Sequence, residues 1–359
     1  MILMNHIKNF AAESPDLFEA FKEYAERVNG TKNFAETSRA DMEAAINKAY
    51  IEEVEKRTML RKNALSDKKW ANSQNVVEMA DQIRDFMIDM ILPETLLMSP
   101  MSTFCDFRFA DLGDSMTFKL ENNALFTVSK AGYRKRSTDL QKLYASSATL
   151  VPELRQLTVG TDLFEIMVGR VFIAKEVMKA VRSIETAVYF DAYDAMYNAM
   201  ESYAPSVLTM TNPTETDIIK AAETVAAYNG NRKPIIVGTP VALKNVVPSN
   251  NNYRYLLESE FVKLGYIQTF NTYDVIALEQ VANPYDTSVD YALKLKDDRI
   301  YIVSPASDKL VKVGFGGETM SHTDAIYDNA NLLQLSTISK AWDAQVITNS
   351  VGAVGKYTA

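Results

Sequence analysis

The longest segment with one helical period of apolar residues covers residues 162–203. Its apolar side chains recur at three- and four-residue steps, and charged side chains such as Lys179 fall between them, which predicts a two-faced helix. Pro205 marks its end, because proline cannot continue the hydrogen-bond ladder of a helix. An unbroken helix of this length would approach ~60 Å. Gly169 is expected to divide it into a short entry helix and a longer one.

Helical periodicity also marks the chain before Phe104. Three helices are predicted there: one that closes at Asn29, one that reaches about Leu60, and one that begins at Asn75 and stops at Pro93. Their apolar stripes are thin, and short helices with thin stripes are marginal on their own. We therefore expect a separable arm that is ordered by neighbouring molecules. A helical lid on the main core is the alternative.

From Phe104 onward the period of the apolar positions falls from about four to two, which is typical of strands. Residues 116–120 alternate apolar with polar side chains, and residues 125–128 are predicted to return as a second strand. Residues 130–144 then form the most basic stretch of the chain, before an extended segment that leads into the long helix. We interpret this region as an extended hairpin that stands away from the core.

After Pro205 helices and strands alternate, as they do in mixed α/β domains. Thr214 is expected to cap a helix that closes at Asn229, and Thr239 to cap a helical turn that opens with Pro240. The predicted strands are 234–238, 266–270, 273–278 and 299–303. Together these elements predict a compact lobe of ~100 residues.

The carboxyl end returns to strand-like segments, with residues 349–355 expected to be a loose tail. Gly314, Gly316 and Gly317 are not followed by the Lys-Ser/Thr pair of a phosphate-binding loop, and no helix is visible after them. We expect these glycines to let a strand turn or bulge.

Composition narrows the possible functions. The chain has 359 residues and a formal net charge of −8, which suits two lobes and argues against a general nucleic-acid binder. Cys105 is the single cysteine, so an internal disulfide is excluded. We find neither a secretory signal nor an apolar run long enough to span a membrane, and therefore expect an intracellular product.

Catalytic chemistry has little support in the sequence. Two histidines and one cysteine cannot supply an ordinary zinc cluster. Ser321, His322 and Asp324 are too close in sequence to form the usual spatial triad, and Cys105 is expected to be a small buried apolar residue. Scattered carboxylates are interpreted as solvated surface. The sequence therefore predicts no catalytic residue, cofactor site or metal site.

The order of parts resembles that of the major capsid proteins of tailed bacteriophages, the Hong Kong 97 type. The phrases KPIIVGTPVALKNV, DRIYIVSP and VKVGFGGE fit that pattern as well. The resemblance implies an α+β fold with an N-terminal helical arm, an extended β-hairpin loop, a long spine helix in a peripheral domain, and a compact mixed α/β axial domain. Its implied divisions are a helical arm at 1–103, the loop and spine at 104–203, the axial domain at 204–311, and returning strands with a tail at 312–359.

The function implied by the resemblance is that of a major capsid protein, with no enzymatic activity, which self-assembles into an icosahedral shell around phage double-stranded DNA. The implied partners are other copies of the chain in hexamers and pentamers, portal, scaffold and decoration proteins, and packaged DNA in weak non-specific contact. The implied location is the virion, after synthesis in the cytoplasm of a host bacterium, without a membrane partner.

The expected contact between subunits lies on the hairpin, at Lys130, Arg134, Lys135 and Arg136. Complementary charges would steer association of an acidic chain and fix its register; nucleic-acid contact by the same residues is the alternative. Two other functions stay open at this point: an encapsulin-like nanocompartment shell that packages protein cargo, and a soluble α/β enzyme whose site is not recognised.

Overall fold

A computed structural model gives the structure of the chain. It describes residues 12–30, 38–60, 67–111, 116–121, 140–160, 162–203, 208–248, 261–278, 293–304, 309–324, 334–348 and 350–358, and the single positions 114, 126, 128, 130 and 280. Helices and strands are interspersed along these ranges, so the predicted α+β class is confirmed.

The helices and strands of the described ranges are named here in chain order. The helices are α1 (Pro15–Val28), α2 (Arg39–Thr58), α3 (Asp67–Ala71), α4 (Gln74–Met98), α5 (Leu163–Met167), α6 (Ile173–Tyr203), α7 (Glu215–Tyr228) and α8 (Pro240–Leu243). The strands are β1 (Cys105–Ala110), β2 (Met116–Glu121), β3 (Tyr144–Leu150), β4 (Glu153–Gly160), β5 (Thr209–Thr211), β6 (Ile235–Gly238), β7 (Thr269–Phe270), β8 (Tyr273–Ala277), β9 (Arg299–Val303), β10 (Val311–Thr323), β11 (Leu335–Val346) and β12 (Ala353–Lys356).

The strands form three sheets. One has the order β1-β10-β11-β4, with β1 parallel to β10 and the other pairs antiparallel. A second has the order β5-β12-β9-β6-β8-β7, and β2 and β3 form a two-stranded hairpin. We call α1–α6 with β1–β4, β10 and β11 the spine body, and β5–β9, β12, α7 and α8 the axial lobe.

The long helix follows its predicted pattern. It is divided as expected at Gly169, whose φ of 75° is open to glycine but unfavourable for other residues. Val181 on the apolar stripe is fully buried, whereas Lys179 is exposed. Asn47 of α2 holds the break together, because its side-chain oxygen accepts from Ile173 N–H at 2.8 Å and its amide donates to the Val171 carbonyl at 2.8 Å.

The helices before Phe104 pack on the main core, which is the arrangement expected of a helical lid, and their separability stays a prediction that truncation tests. Phe21 of α1 and Tyr50 and Val54 of α2 are buried in the same hydrophobic cluster as Val181 of the spine. The third helix does not stop at Pro93 but continues to Met98. Buried side chains before and after the proline anchor both halves of α4, so tertiary packing outweighs the lost backbone hydrogen bond.

The axial lobe forms close to its predicted positions. Every residue of β6 is buried, and both Thr214 and Thr239 accept backbone N–H bonds as the caps of α7 and α8. Strand β9 matches 299–303, whereas β7 is shorter than predicted. Ile235 and Val237 pack towards the spine, and Ile236 packs on the opposite face of the sheet. The period of two therefore places both faces of this sheet in apolar surroundings.

The prediction of a loose tail at 349–355 is wrong. Strand β12 lies inside the axial sheet, where it pairs with β5 on one side and β9 on the other. Gly355 permits this insertion, because a Cβ there would come within 2.9 Å of Ile300 and 3.0 Å of Pro213. The last strand is stabilised by neighbours distant in sequence, and β12 therefore belongs to the axial lobe. The implied boundaries at 103, 203 and 311 stay predictions.

Candidate assembly surfaces

The predicted hairpin is present, but the strand that pairs with β2 is β3; Phe126 and Val128 of the predicted returning strand lie in no strand, and residues 125 and 127 lie outside the described residues. Thr117 of β2 faces Thr149 of β3 in an antiparallel register, so the basic stretch lies between the two strands. Phe118 and Leu150 are almost fully buried in a small cluster at the base of the hairpin. The returning strand was missed because its first half, YASSA, lacks the apolar alternation used to recognise strands.

Glycines in β10 seat the base of the hairpin on the sheet. A Cβ on Gly314 would come 2.4 Å from the Met116 sulfur and 2.8 Å from Leu150. A Cβ on Gly316 would come 3.0 Å from Pro152. Gly317 has a φ of 74°, and the β10–β11 register shifts after Gly316. The prediction that these glycines allow a bulge is therefore confirmed, and they also allow the hairpin to approach the strand closely.

Of the four predicted contact residues, the structure places one. Lys130 is exposed between β2 and β3, while Arg134, Lys135 and Arg136 lie outside the described residues. Sequence reasoning missed that this surface is also apolar, since Val128 is 94% exposed and Leu140 is 88% exposed. Exposed apolar side chains close to a cationic stretch are typical of a surface that becomes covered by a partner.

A second polar assembly, inside the spine body, was not predicted. Asp81, Asp85 and Asp89 lie at four-residue steps along α4, and we call them the aspartate ladder. Three hydroxyl residues at two-residue steps along β10 face them, each bonded to one aspartate: Thr323 to Asp81, Ser321 to Asp85 and Thr319 to Asp89. Four helical residues rise about 6 Å and two strand residues about 6.6 Å, so the two repeats stay in step.

The ladder ties the helix to both the backbone and the side chains of β10. Asp89 accepts from Thr319 N–H at 2.9 Å, and Asp85 accepts from Ser321 N–H at 2.8 Å. Both carboxylates also accept from the hydroxyl of the same residue. Helix α4 is therefore fixed along the strand by bonds that a one-residue slip would break.

Two buried cations complete the ladder at its ends. Lys340 of β11 donates to Asp89 at 2.8 Å and to the Gly317 carbonyl at 3.0 Å, with 2% of the lysine exposed. Arg84 donates to Asp81 and to Ser336 of β11. Asp85, in the middle, has no cation in ion-pair contact among the described residues. Burial raises its pKa to about 7, although the Ser321 hydrogen bonds oppose this shift.

Each half of the ladder has a sequence pattern of its own, although neither pattern predicts the ladder. Asp-x₃-Asp-x₃-Asp within one helix places three carboxylates on one helical stripe. Thr-x-Ser-x-Thr in 319–323 places three hydroxyl groups on one face of a strand. Neither pattern identifies the other, because more than two hundred residues separate the two elements, as for Asp85 and Ser321.

Reactive groups in the described residues are engaged in structural contacts. Ser321 donates to Asp85, while His322 is exposed and lies 3.6 Å from Asp324. Cys105 is fully buried, as predicted, and its pKa is raised by that burial. Among the described residues no group of three or more His, Cys, Asp or Glu side chains could hold a metal ion. None of the described helices is long and apolar enough to cross a bilayer.

Solved structures with a similar fold include a phage capsid protein, a phage-related protein and an encapsulin. The mature capsid protein of bacteriophage PhiM1 is 11% identical, with 70% of this chain and 85% of that chain covered and a TM-score of 0.42. A phage-related protein from Bordetella bronchiseptica is 10% identical, with 74% and 96% covered and a TM-score of 0.46. The SrpI encapsulin from Synechococcus elongatus is 10% identical, with 72% and 87% covered and a TM-score of 0.41.

No individual protein of established function matches the sequence. A family model does match, over residues 19–357, and its description is "SPbeta prophage-derived putative capsid protein YonB". The match spans the spine, the axial lobe and the returning strands, and it includes the helices that were expected to form a separate arm. The chain therefore belongs to the YonB family of prophage-derived phage capsid proteins.

Proposed function

We propose that copies of this chain assemble through the hairpin into a closed icosahedral shell of hexamers and pentamers that encloses double-stranded DNA. In this proposal 1–103, 104–203 and the strands β10 and β11 build the peripheral part, and 204–311 with β12 build the axial domain. The shell is formed in the cytoplasm of the host bacterium and becomes part of the virion. Portal, scaffold and decoration proteins are its further partners, and packaged DNA contacts it weakly.

The observation that carries this proposal is the character of the hairpin. Its base is buried at Phe118 and Leu150, whereas Val128, Lys130 and Leu140 are all exposed. In a monomer, exposure of the apolar Val128 and Leu140 side chains to water is unfavourable. A neighbouring subunit that covers these side chains removes the unfavourable exposure, and the cations help to orient it.

Catalysis has no part in the proposal. Function arises from contacts that repeat between identical subunits, and each copy gives the same surface to its neighbours. The polar groups that could have suggested chemistry, including Ser321 and Asp85, serve instead to hold α4 on β10.

The proposal is tested by reversing the hairpin charges. Arg134, Lys135 and Arg136 are replaced together by glutamate in the full chain, and particles are counted by negative-stain microscopy and sedimentation. We expect folded subunits by circular dichroism and a particle yield at least about ten-fold lower. The control replaces three exposed axial lysines, Lys220, Lys244 and Lys263, by glutamate, which changes the net charge equally. Shells of normal yield and salt resistance from the hairpin variant would contradict the proposed contact.

A nanocompartment shell is the second candidate and differs in its contents. The exposed Val128 and Leu140 suit any shell in which a neighbouring subunit covers the hairpin. Particles isolated from the native host should contain nuclease-protected DNA if the chain encloses a genome. A defined protein cargo and no DNA would favour the nanocompartment.

A further inference from the structure

The outer edge of β4 has no strand partner among the described residues. In the part of the chain that the structure describes, β4 pairs with β11 alone and ends the four-stranded sheet. Alternate residues of an antiparallel edge strand direct their N–H and C=O groups away from the sheet. Such edges are often protected by short length, by proline or by charged side chains; β4, ELRQLTVG, runs for 8 residues without proline, and its charges, Glu153 and Arg155, lie only in its first half. Its backbone is therefore available to another strand.

A cleft of about 780 Å³ lies along this edge, between β4 and α6. Four successive residues of β4, Leu154 to Leu157, line it. Ile338, Lys340 and Trp342 of β11 line it at two-residue steps, so the cleft covers one face of the sheet beside α6 and extends to the edge strand β4. Met178, Ile338 and Trp342, which are buried, form an apolar floor.

The far wall of the cleft is cationic. Lys175, Lys179 and Arg182 of α6 line it, and all three are exposed. They lie at i, i+4 and i+7, so they share one side of the helix. Among the described residues, none of the three is in ion-pair contact with a carboxylate, and no Asp or Glu borders the cleft. A positive wall in a chain of net charge −8 selects for carboxylate-bearing partners.

We propose that an extended, carboxylate-bearing segment of a second copy of this chain pairs with β4 as a fifth strand and lies in this cleft. The open backbone edge supplies main-chain hydrogen bonds, the floor accepts apolar side chains, and the three cations face the carboxylates. A nucleic acid would use the cations but leave the strand edge and the apolar floor unsatisfied. The inference rests on the proposed shell, because only there do copies of an acidic chain surround every cleft.

A photo-crosslinking amino acid at Leu154, whose side chain is 56% exposed, tests the proposal in the full chain. Unlabelled and ¹⁵N-labelled subunits are mixed, assembled and irradiated, and the crosslinked peptides are identified by mass spectrometry. We expect crosslinks that join peptides of different isotope content, with carboxylates in the captured segment. Replacing Lys175, Lys179 and Arg182 together by glutamate should lower their yield about ten-fold. The axial control, Lys220, Lys244 and Lys263 to glutamate, should leave the yield within about two-fold.

The other outcomes contradict the proposal in distinguishable ways. Particles in which position 154 crosslinks only within one copy, only to nucleic acid, or to nothing overturn the inference and leave the shell function standing. Wild-type protein that forms no particles overturns the proposed function, and the inference with it. If circular dichroism shows that the α6 triple variant is unfolded, the wild-type crosslinks decide: a link between copies supports the fifth strand, and its absence refutes it.

Discussion

The spine body and the axial lobe bury different kinds of side chain. Charged residues that are buried in the described chain all belong to the spine body: Glu43, Glu53, Asp81, Arg84, Asp89, Lys312 and Lys340. The axial lobe buries no charged side chain among its described residues, and its buried polar groups are neutral, as at Asn229 and Thr239. The lobe is held mainly by apolar burial and caps, whereas the body combines apolar burial with specific polar bonds.

This difference affects how precisely the elements of each region are positioned against one another. Apolar contacts tolerate small shifts, whereas a buried carboxylate must meet its own donors or cost several kcal/mol. In the spine body, Asp89 with Lys340 and Arg84 with Ser336 join elements that are far apart in sequence. We infer that these pairs set the register of α4 against the sheet. In the axial lobe, the pattern of apolar residues alone sets the register of the strands.

The largest expected effect comes from removing residues 1–70. Because α1 and α2 pack in the same apolar cluster as α4 and α6, the truncated chain exposes the apolar faces of α4 and α6, and soluble yield should fall about ten-fold or more. Phe21→Ala, which truncates a fully buried ring, should cost about 3–5 kcal/mol. Chemical unfolding measures the cost of Phe21→Ala. A truncated chain that stays soluble and unfolds cooperatively would show that the amino-terminal helices are separable from the rest of the fold.

The next effect is expected from Asp89→Ala. The substitution leaves Lys340 without its carboxylate and Thr319 N–H without its acceptor, which should cost about 3–5 kcal/mol in urea unfolding. The double variant Asp89→Ala with Lys340→Met should recover at least half of the loss, because a buried pair can be replaced by apolar groups of similar volume. A double variant as unstable as the single one would show that the pair does not act as a unit.

Asp85→Asn should change how stability depends on pH. A raised folded-state pKa stabilises the fold below the ordinary value of about 3.9, and this contribution is lost as pH rises through about 7. The variant should therefore match the wild type near pH 4 and exceed its unfolding free energy by roughly 1–4 kcal/mol at about pH 8. Glu78→Gln, on the exposed side of α4, should leave the unfolding free energy unchanged at both pH values. Parallel pH profiles of wild type and Asp85→Asn would refute this account.

The smallest effect is expected in the axial lobe. Thr239→Ala removes the hydroxyl that accepts from Ala242 N–H at 3.3 Å and should cost about 1 kcal/mol. Thr239→Ser keeps the hydroxyl and should stay within about 0.5 kcal/mol of the wild type. A cap loss as large as the Asp89→Ala effect would erase the contrast between the two regions.

The same contrast explains what the sequence could and could not predict. Axial caps and strands are local features, so Thr214, Thr239 and β9 were placed correctly. The break at Gly169 was also local. The course of α4 beyond Pro93, and the position of β12, depend on partners that local periodicity does not contain.

The candidate surfaces divide in the same way. The hairpin and its cationic stretch could be predicted from the sequence, and Lys130, which is exposed, stays a predicted contact residue. The aspartate ladder and the cleft beside β4 could not, because each arises where segments distant in sequence meet. Sequence patterns thus identify one element at a time, whereas the polar bonds between elements depend on the three-dimensional fold.

The central claim is that this chain closes into a shell through contacts between identical copies. Sedimentation followed by cryo-electron microscopy of the purified full-length protein tests it most directly. We expect particles of defined diameter with icosahedral symmetry, in which each hairpin lies on an adjacent subunit and covers Val128 and Leu140. A protein that remains monomeric over a wide range of concentration and salt, with the hairpin still exposed, would contradict the claim.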